Sequence, residues 1–564
     1  MLAVGLALGA RARLGLDLGD GTHAVELALR LARGDLPFRD EMNLQVLGAW
    51  PAVPFVWVWS HLVGLDGIVL ASRIYFVALS IGVAALTWWA VRGFTGRVVA
   101  GFAAVTAVVP TAYNLQLVGY NTTPALLYLV GASSAAGAIA RGSLGWAVLG
   151  GSAAALGAVS HPVTTPAAAA MLLAGLACAR GRVRIGLVAG AAGAAAVVVG
   201  LAVAVWGIDH VRETLAFTSD YQGGGVDRLG RLRAWLAYLG GELAQPAVAF
   251  ALVLAVVAAV ALARRSRFAA PLLLAAVVLT AVQGLTRDAV TATYSIGSWL
   301  SPVLALVLCL VLLPAAVVTA LRLRGMPARL LVIGLAPALV GAPTVAAFTA
   351  SSPRWGAVGA CLAPAVLAVT ACALLGLVRL QSLDRHPDSP EPAPTPRRPF
   401  AAAMAGAVGV LVLGSLVAAH TATSFRDAPL ARLDVAAPAG AYAGLLTSQR
   451  RADEVASAQA ALRTCARPGS SVLAIGYPAA YLLGDVHVAS PVTWLGDFGP
   501  STSHVVRWLD TRGVTPDCVV HPTRWWGPEP AGGAAADPLR ARVEAGYHPV
   551  GSTSQLVVLR RNAG

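Results

Sequence analysis

Four carboxylates near the amino terminus, Asp17, Asp20, Asp40 and Glu41, are the residues of this chain best suited to do chemistry. A fixed carboxylate can take a proton from a hydroxyl, and a pair can hold a divalent cation. Beside an apolar helix such groups are costly unless they are solvated or used. Two readings are open: an ordinary wet loop, where acids belong, or a site. A second polar stretch, residues 207–246, holds Arg212, Glu213, Asp220, Tyr221 and the run Gly223-Gly224-Gly225. It reads either as a flexible cover for a site or as a loose connection.

The elements that must position these groups are membrane helices. With 57% hydrophobic and 12% charged residues, a soluble fold of 564 residues could not cover its surface. Apolar stretches at about 68–91, 98–113, 121–140, 144–160, 163–179, 185–206, 247–263, 268–285, 299–320, 330–350, 357–378 and 400–420 lie near the roughly 20 residues that cross a bilayer. The expected fold is an all-α polytopic membrane protein of about 12–13 transmembrane helices over residues 1–420. Residues 1–10 are apolar but too short to span alone, like the second half of a helix whose start lies upstream.

Residues 14–67 form the first loop. Within it, His23 to Arg33 reads as an amphipathic helix in the membrane interface, with Val25, Leu27, Leu29 and Leu31 among polar residues and Gly34 as its stop. Residues 48–65, with two prolines and three tryptophans, read as an interfacial or re-entrant segment. Residues 380–398 are a Pro-rich extended linker. Residues 421–564 alternate helix-like and strand-like stretches, which predicts a small α/β domain. The glycines Gly186, Gly190 and Gly193 read as close-packing positions, not as a phosphate loop.

The net charge of +14 does not point to nucleic acid, because the arginines sit in short turns: Arg92 and Arg97, Arg141, Arg180 to Arg184, Arg264 to Arg267, Arg322 to Arg329, and Arg379 onward. That pattern reports topology in a cell membrane and contact with anionic headgroups. It places the arginine turns in the cytoplasm, and the first loop, 207–246, 286–298 and everything after 420 outside. No cysteine pair has metal-site spacing; Cys178, Cys309, Cys361 and Cys372 read as small buried residues, and Cys465 and Cys518 as a plausible disulfide if the tail is external.

The stretch LDLGDGTHAVELALRLARGDLPFRDEMN, with an Asp after the first apolar helix and then Gly34 to Asp40, resembles the C-class membrane glycosyltransferases. These include the bacterial aminoarabinose transferases, the protein O-mannosyltransferases and actinobacterial arabinosyl- and mannosyltransferases. Pro51 and Pro54 loosely match the family's paired prolines, and GLDGIVLASR, ending at Arg73, matches its next span. LGAVSHPVTTP around His161 stands where relatives often carry a loop that meets the lipid phosphate, and TYSIGSWLSP, with Tyr294, resembles the start of a late span.

The resemblance implies an inverting enzyme that takes a sugar from a polyprenyl-phosphate donor to a glycan, lipid or protein hydroxyl on the external face. Asp20 is the expected base, with Asp40 as alternative base, orienting group or cation ligand. Where relatives carry a second acid this chain has Gly21, so Glu26 or Glu41 would have to substitute. The chain has no Lys, so phosphate contacts fall to Arg73, His161, Arg212 or Arg287. Each has a plainer reading: Arg73 as an interfacial anchor, His161 as a helix end beside Pro162. Tyr477, Tyr481, Trp494, Trp525 and Trp526 can stack on sugars or fill a small core. A lipid-linked glycan transporter should show related halves and mid-membrane charge, and neither is evident. A non-catalytic scaffold is the remaining alternative, since Gly21 leaves one carboxylate missing.

Overall fold

The computed structural model describes residues 1–221, 227–290, 301–349, 358–380, 397–422, 424, 426–496, 499, 501–523 and 537–563. All twelve apolar stretches expected to span are helical. Among the described residues nine helices are long and apolar enough to cross a membrane: Ile68–Thr95, Thr123–Arg141, Arg182–Trp206, Pro246–Ala263, Ala269–Thr286, Ser301–Leu323, Met326–Phe348, Gly359–Leu380 and Pro399–Ala422. The other three stretches give shorter helices, Arg97–Val108, Leu144–Ser160 and Pro162–Cys178. Their breaks have local causes: Tyr113 and Asn114 take left-handed backbone after Pro110, and extended His161 precedes Pro162. At about 1.5 Å per residue, twelve residues reach little more than half the hydrocarbon thickness.

Burial sorts the helices. Gly359–Leu380 is apolar on every side and 94% of its apolar window is buried, so it forms the centre of the bundle. Arg182–Trp206 is at the edge, with 6% buried. Its glycines pack as expected at one end: a Cβ on Gly190 would stand 2.1 Å from the Val148 carbonyl oxygen, whereas Gly193 meets nothing.

Hydrogen bonds show that the turns at Arg92–Arg97, Arg141, Arg180–Arg184 and Arg379 share one end of the bundle. Arg141 donates to the carbonyls of Ala90 and Trp89, Arg182 to Gly142, and Arg379 to Phe94. Leu262, just before the Arg264 turn, packs against Gly376 near Arg379. The opposite end carries a different network. The Asn114 Oδ1 accepts from the backbone and hydroxyl of Ser301, and Asn114 donates to the carbonyl of Ala419.

At that second end the carboxyl-terminal part forms a mixed sheet. Strands β3 (Ser471–Ala474), β4 (His487–Val488), β5 (Cys518–Pro522), β6 (Tyr547–Ser552) and β7 (Leu556–Arg561) follow the short pair β1 (Val435–Ala436) and β2 (Leu446–Thr447). The order β4-β3-β5-β7-β6 is parallel through its first three strands and antiparallel in the rest. Helices Gln449–Arg463, Thr502–Arg512 and Pro538–Gly546 alternate with these strands, as the helix-like and strand-like stretches of the tail lead one to expect. Cys465 and Cys518 are joined by a disulfide that ties the end of the helix Gln449–Arg463 to β5.

Two expectations change. Residues 207–246 are not a loose loop where described, but two helices, Ile208–Tyr221 and Arg228–Leu243. The first is held to the tail by His504 with Asp220 at 2.9 Å, and Asp227 caps the second by accepting from the Gly230 amide. The helix of the first loop runs Asp20–Ala32 and ends before Gly34 (φ 101°), but it does not lie in the lipid interface. Residues 21–30 are all buried, because the tail roofs the helix. Thr22 meets the Tyr442 hydroxyl at 2.7 Å, and Arg33 pairs with Asp485 at 2.7 Å.

Candidate functional site

The start of the Asp20–Ala32 helix is built by Asp17. Its two carboxylate oxygens accept from the backbone amides of Gly19 at 2.9 Å and Gly21 at 2.6 Å, which satisfies donors that a helix start leaves open. Asp20 opens the first turn, where the helix dipole favours negative charge. Its carboxylate accepts from the Arg426 guanidinium at 2.8 Å and from the Tyr120 hydroxyl at 3.4 Å. Gly19 permits this approach, since a Cβ there would stand 2.1 Å from Arg426 Nη1.

Around this pair stand groups from four other parts of the chain. The His23 ring lies 5.8 Å from Tyr120 and 5.4 Å from Trp494. Arg426 stands 5.9 Å from the Trp494 ring. Asn43 approaches His23 at 3.5 Å, and Gln45 meets His161 Nε2 at 3.2 Å. Tyr120 lies 6.1 Å from the His161 ring. Tyr120 is seated by Gly48, where a Cβ would come within 2.4 Å of the Tyr120 Cα. Asp20, Tyr120, Asn43, Gln45, Trp494 and Arg426 are all half-buried, so these groups remain reachable.

Electrostatics divide the roles. Burial pushes the Asp20 carboxyl above its ordinary value and Asp17 adds to this, while Arg426 and Tyr120 pull it back. Burial lowers His23 to about 3 and His161 to about 4, so both rings are neutral at pH 7. Burial also raises the Tyr120 phenol, which keeps its proton. The cation of the cluster is Arg426.

The expected residues separate. Asp20 and His161 come together through Tyr120. Asp40 does not join them: it accepts from the Leu36 amide at 2.8 Å, from Arg39 at 2.7 Å and from Arg512 at 3.1 Å, and shares no partner with Asp20. Burial opposes the Asp40 charge, but the bonds from Arg39 and Leu36 outweigh it and hold the carboxyl below its ordinary range. Glu41 is fully buried and accepts from Arg30 at 2.7 Å and from the Thr493 amide and hydroxyl, so it tethers the roof. Glu26, the other possible substitute for the missing acid, is buried in the same helix.

Arg73 serves as a clamp: its Nη1 donates to the carbonyls of Ala12, Leu14 and Gly15 at 3.0, 3.2 and 2.8 Å. Arg212 is exposed and pairs with Asp209 one turn away. Tyr294, Trp525 and Trp526 and the Arg287 side chain lie outside the described residues. Asp20 and Asp40, the pair expected to hold any cation, stand on separate partners, and no cluster of three His, Cys, Asp or Glu occurs among the described residues.

Sequence reasoning passes over Arg426, Tyr120, His23, Asn43 and Gln45. Arg426 carried a signal: it is an arginine just after the last span, at the end opposite to the arginine turns.

Fold and site together define a polytopic helical membrane protein that holds an arginine-paired carboxylate beneath a small α/β roof. No family model matches the chain, and no curated protein matches it significantly. Two solved structures are similar over nearly its whole length. One is ArnT from Cupriavidus metallidurans in the apo state, at 14% identity and a TM-score of 0.45, covering 99% of this chain and 96% of that one. The other is the same protein bound to undecaprenyl phosphate, at 14% identity and a TM-score of 0.40, covering 100% and 96%.

Proposed function

We propose that this protein is an integral-membrane glycosyltransferase that moves a sugar from a polyprenyl-phosphate donor to an acceptor hydroxyl on the external face of the cell membrane. The tail is then extracytoplasmic and covers the reaction centre. The observation that carries this reading is Asp20: a half-buried carboxylate, raised by burial, facing a guanidinium and a phenol, with an indole beside the guanidinium. The resemblance of the first loop to C-class glycosyltransferases supports the same assignment. Asp20 accepts the proton of the attacking hydroxyl, and the sugar is displaced from its phosphate with inversion. Arg426 balances the charge left on that phosphate. Gln45, whose amide donates to Nε2 of the neutral His161 ring, offers its second N–H to a substrate oxygen, and Trp494 offers an aromatic face to a sugar.

The test is transfer of labelled sugar from a polyprenyl-phosphate donor by the purified chain. Asp20→Asn should lower the rate about 10²–10⁴-fold with unchanged melting. Asp40→Asn should lower the melting temperature but keep most of the turnover per folded molecule. Full activity of Asp20→Asn removes the assigned base. Repeating the wild-type assay with a chelator decides whether a divalent cation takes part.

A further inference from the structure

We propose that the cleft between the helices Pro162–Cys178 and Arg182–Trp206 seats an anionic phospholipid of the leaflet at the arginine end. The cleft has a volume of about 730 Å³ and is walled by Leu173, Leu176, Ile185 and Val188, with Arg184 at its mouth. That volume falls within the roughly 300–1,000 Å³ of small-ligand sites. Its walls suit an acyl chain, with Leu173 67% and Ile185 66% exposed in the absence of an occupant. The Arg184 Nε donates to the carbonyls of Leu176 and Ala179 at 2.9 and 2.8 Å, which fixes the guanidinium beside the cleft. Arg180 and Arg182 stand in the same turn, and all three are exposed.

Charge identifies the occupant. No Asp or Glu occurs at positions 67–208, 243–287 or 289–383, and every arginine turn from Arg92 to Arg379 lies in those stretches. Asp384, Asp388 and Glu391 follow in a segment that carries its own Arg385, Arg397 and Arg398. Among the described residues Arg180, Arg182 and Arg184 form no ion pair, which leaves their charge available to an anionic headgroup. Lipid phosphate beside a basic turn, with its tail in an apolar cleft, meets both demands. A second cleft of about 530 Å³, walled by Val257, Val260 and Leu272 and closed by Arg264, repeats the arrangement at the same end.

The full chain in detergent is titrated with phosphatidylglycerol and with phosphatidylcholine of identical acyl chains, and bound lipid is counted by native mass spectrometry. Phosphatidylglycerol should bind roughly tenfold better or more. Arg180→Gln/Arg182→Gln/Arg184→Gln should lower the count of retained phosphatidylglycerol by one while the Arg264 cleft keeps its own, whereas Arg322→Gln/Arg324→Gln should leave the count unchanged. Ile185→Trp leaves every charge in place and fills the cleft, so it should lower retention even if the triple variant fails to fold. Equal binding of the two lipids, unchanged binding in the cleft variants, or displacement of phosphatidylglycerol by inorganic phosphate would overturn the proposal.

Discussion

Two groups with opposite effects hold the Asp20 carboxylate. Arg426 favours its charged form, and the surrounding burial favours its neutral form. A base works only when deprotonated, so turnover should rise with pH as Asp20 loses its proton. Arg426→Gln removes the stabilising charge and should move the acid limb of the pH–kcat/KM profile to higher pH. A profile that keeps its position would detach Arg426 from the base. Glu26 gives a separate pH effect on stability. Burial lifts its carboxyl from an ordinary 4.5 to about 8, and its Oε1 has no hydrogen-bond partner among the described residues. The folded state then binds more protons than the unfolded state between those values, so the contribution of Glu26 to stability is greatest below pH 4.5 and is lost as pH rises toward 8. Glu26→Gln should flatten that fall, as read from melting temperatures across the range. The residue types of Asp20 and His161 were legible because acids and histidines are rare beside apolar helices. Arg426 and Tyr120 were not, because they meet Asp20 only through contacts 406 and 100 positions away in sequence.

At the scale of elements, apolar run length located a helix at every expected span, and among the described residues nine are long enough to cross a membrane. Pro162 made the break at His161 legible. The early end of Arg97–Val108 escaped notice because it depends on left-handed backbone at Tyr113 and Asn114. The first-loop helix was legible by its pattern but misplaced. Its apolar face suits lipid and protein equally, and only the tail decides between them. Arg73 shows the same ambiguity, since a guanidinium near a helix start suits a phosphate or three backbone carbonyls. The structure makes it a clamp on residues 12–15, which lead directly into Asp17. Arg73→Met leaves those buried carbonyls short of a charged donor. It should cost about 1.5–3 kcal/mol or more, measured as a lower melting temperature, with transfer falling in parallel.

For the molecule as a whole, the sequence reading separated bundle from tail, and the alternating helix and strand stretches located the α/β roof. The seating of one on the other was hidden, because it rests on single polar contacts: Glu41 with Thr493, Thr22 with Tyr442, Asp220 with His504. The Cys465–Cys518 link, which closes a separation of 53 residues, stiffens the roof. Cys465→Ser/Cys518→Ser should cost about 2–4 kcal/mol in the tail. The check is a lower-temperature unfolding step in the full chain, which reductant should reproduce in the wild type.

Asp427 accepts from the Leu16 amide, a residue 411 positions earlier, and also from Thr447, Ser448 and Ala428. Its neighbour Arg426 is the partner of Asp20. During synthesis the first loop is therefore made long before the residues that complete it. Until the ribosome has passed the last span and the tail has folded back, Asp20 has no guanidinium and Leu16 no acceptor. A chain that stops short of Arg426 leaves both groups unmatched, so on the proposed function it is expected to transfer no sugar.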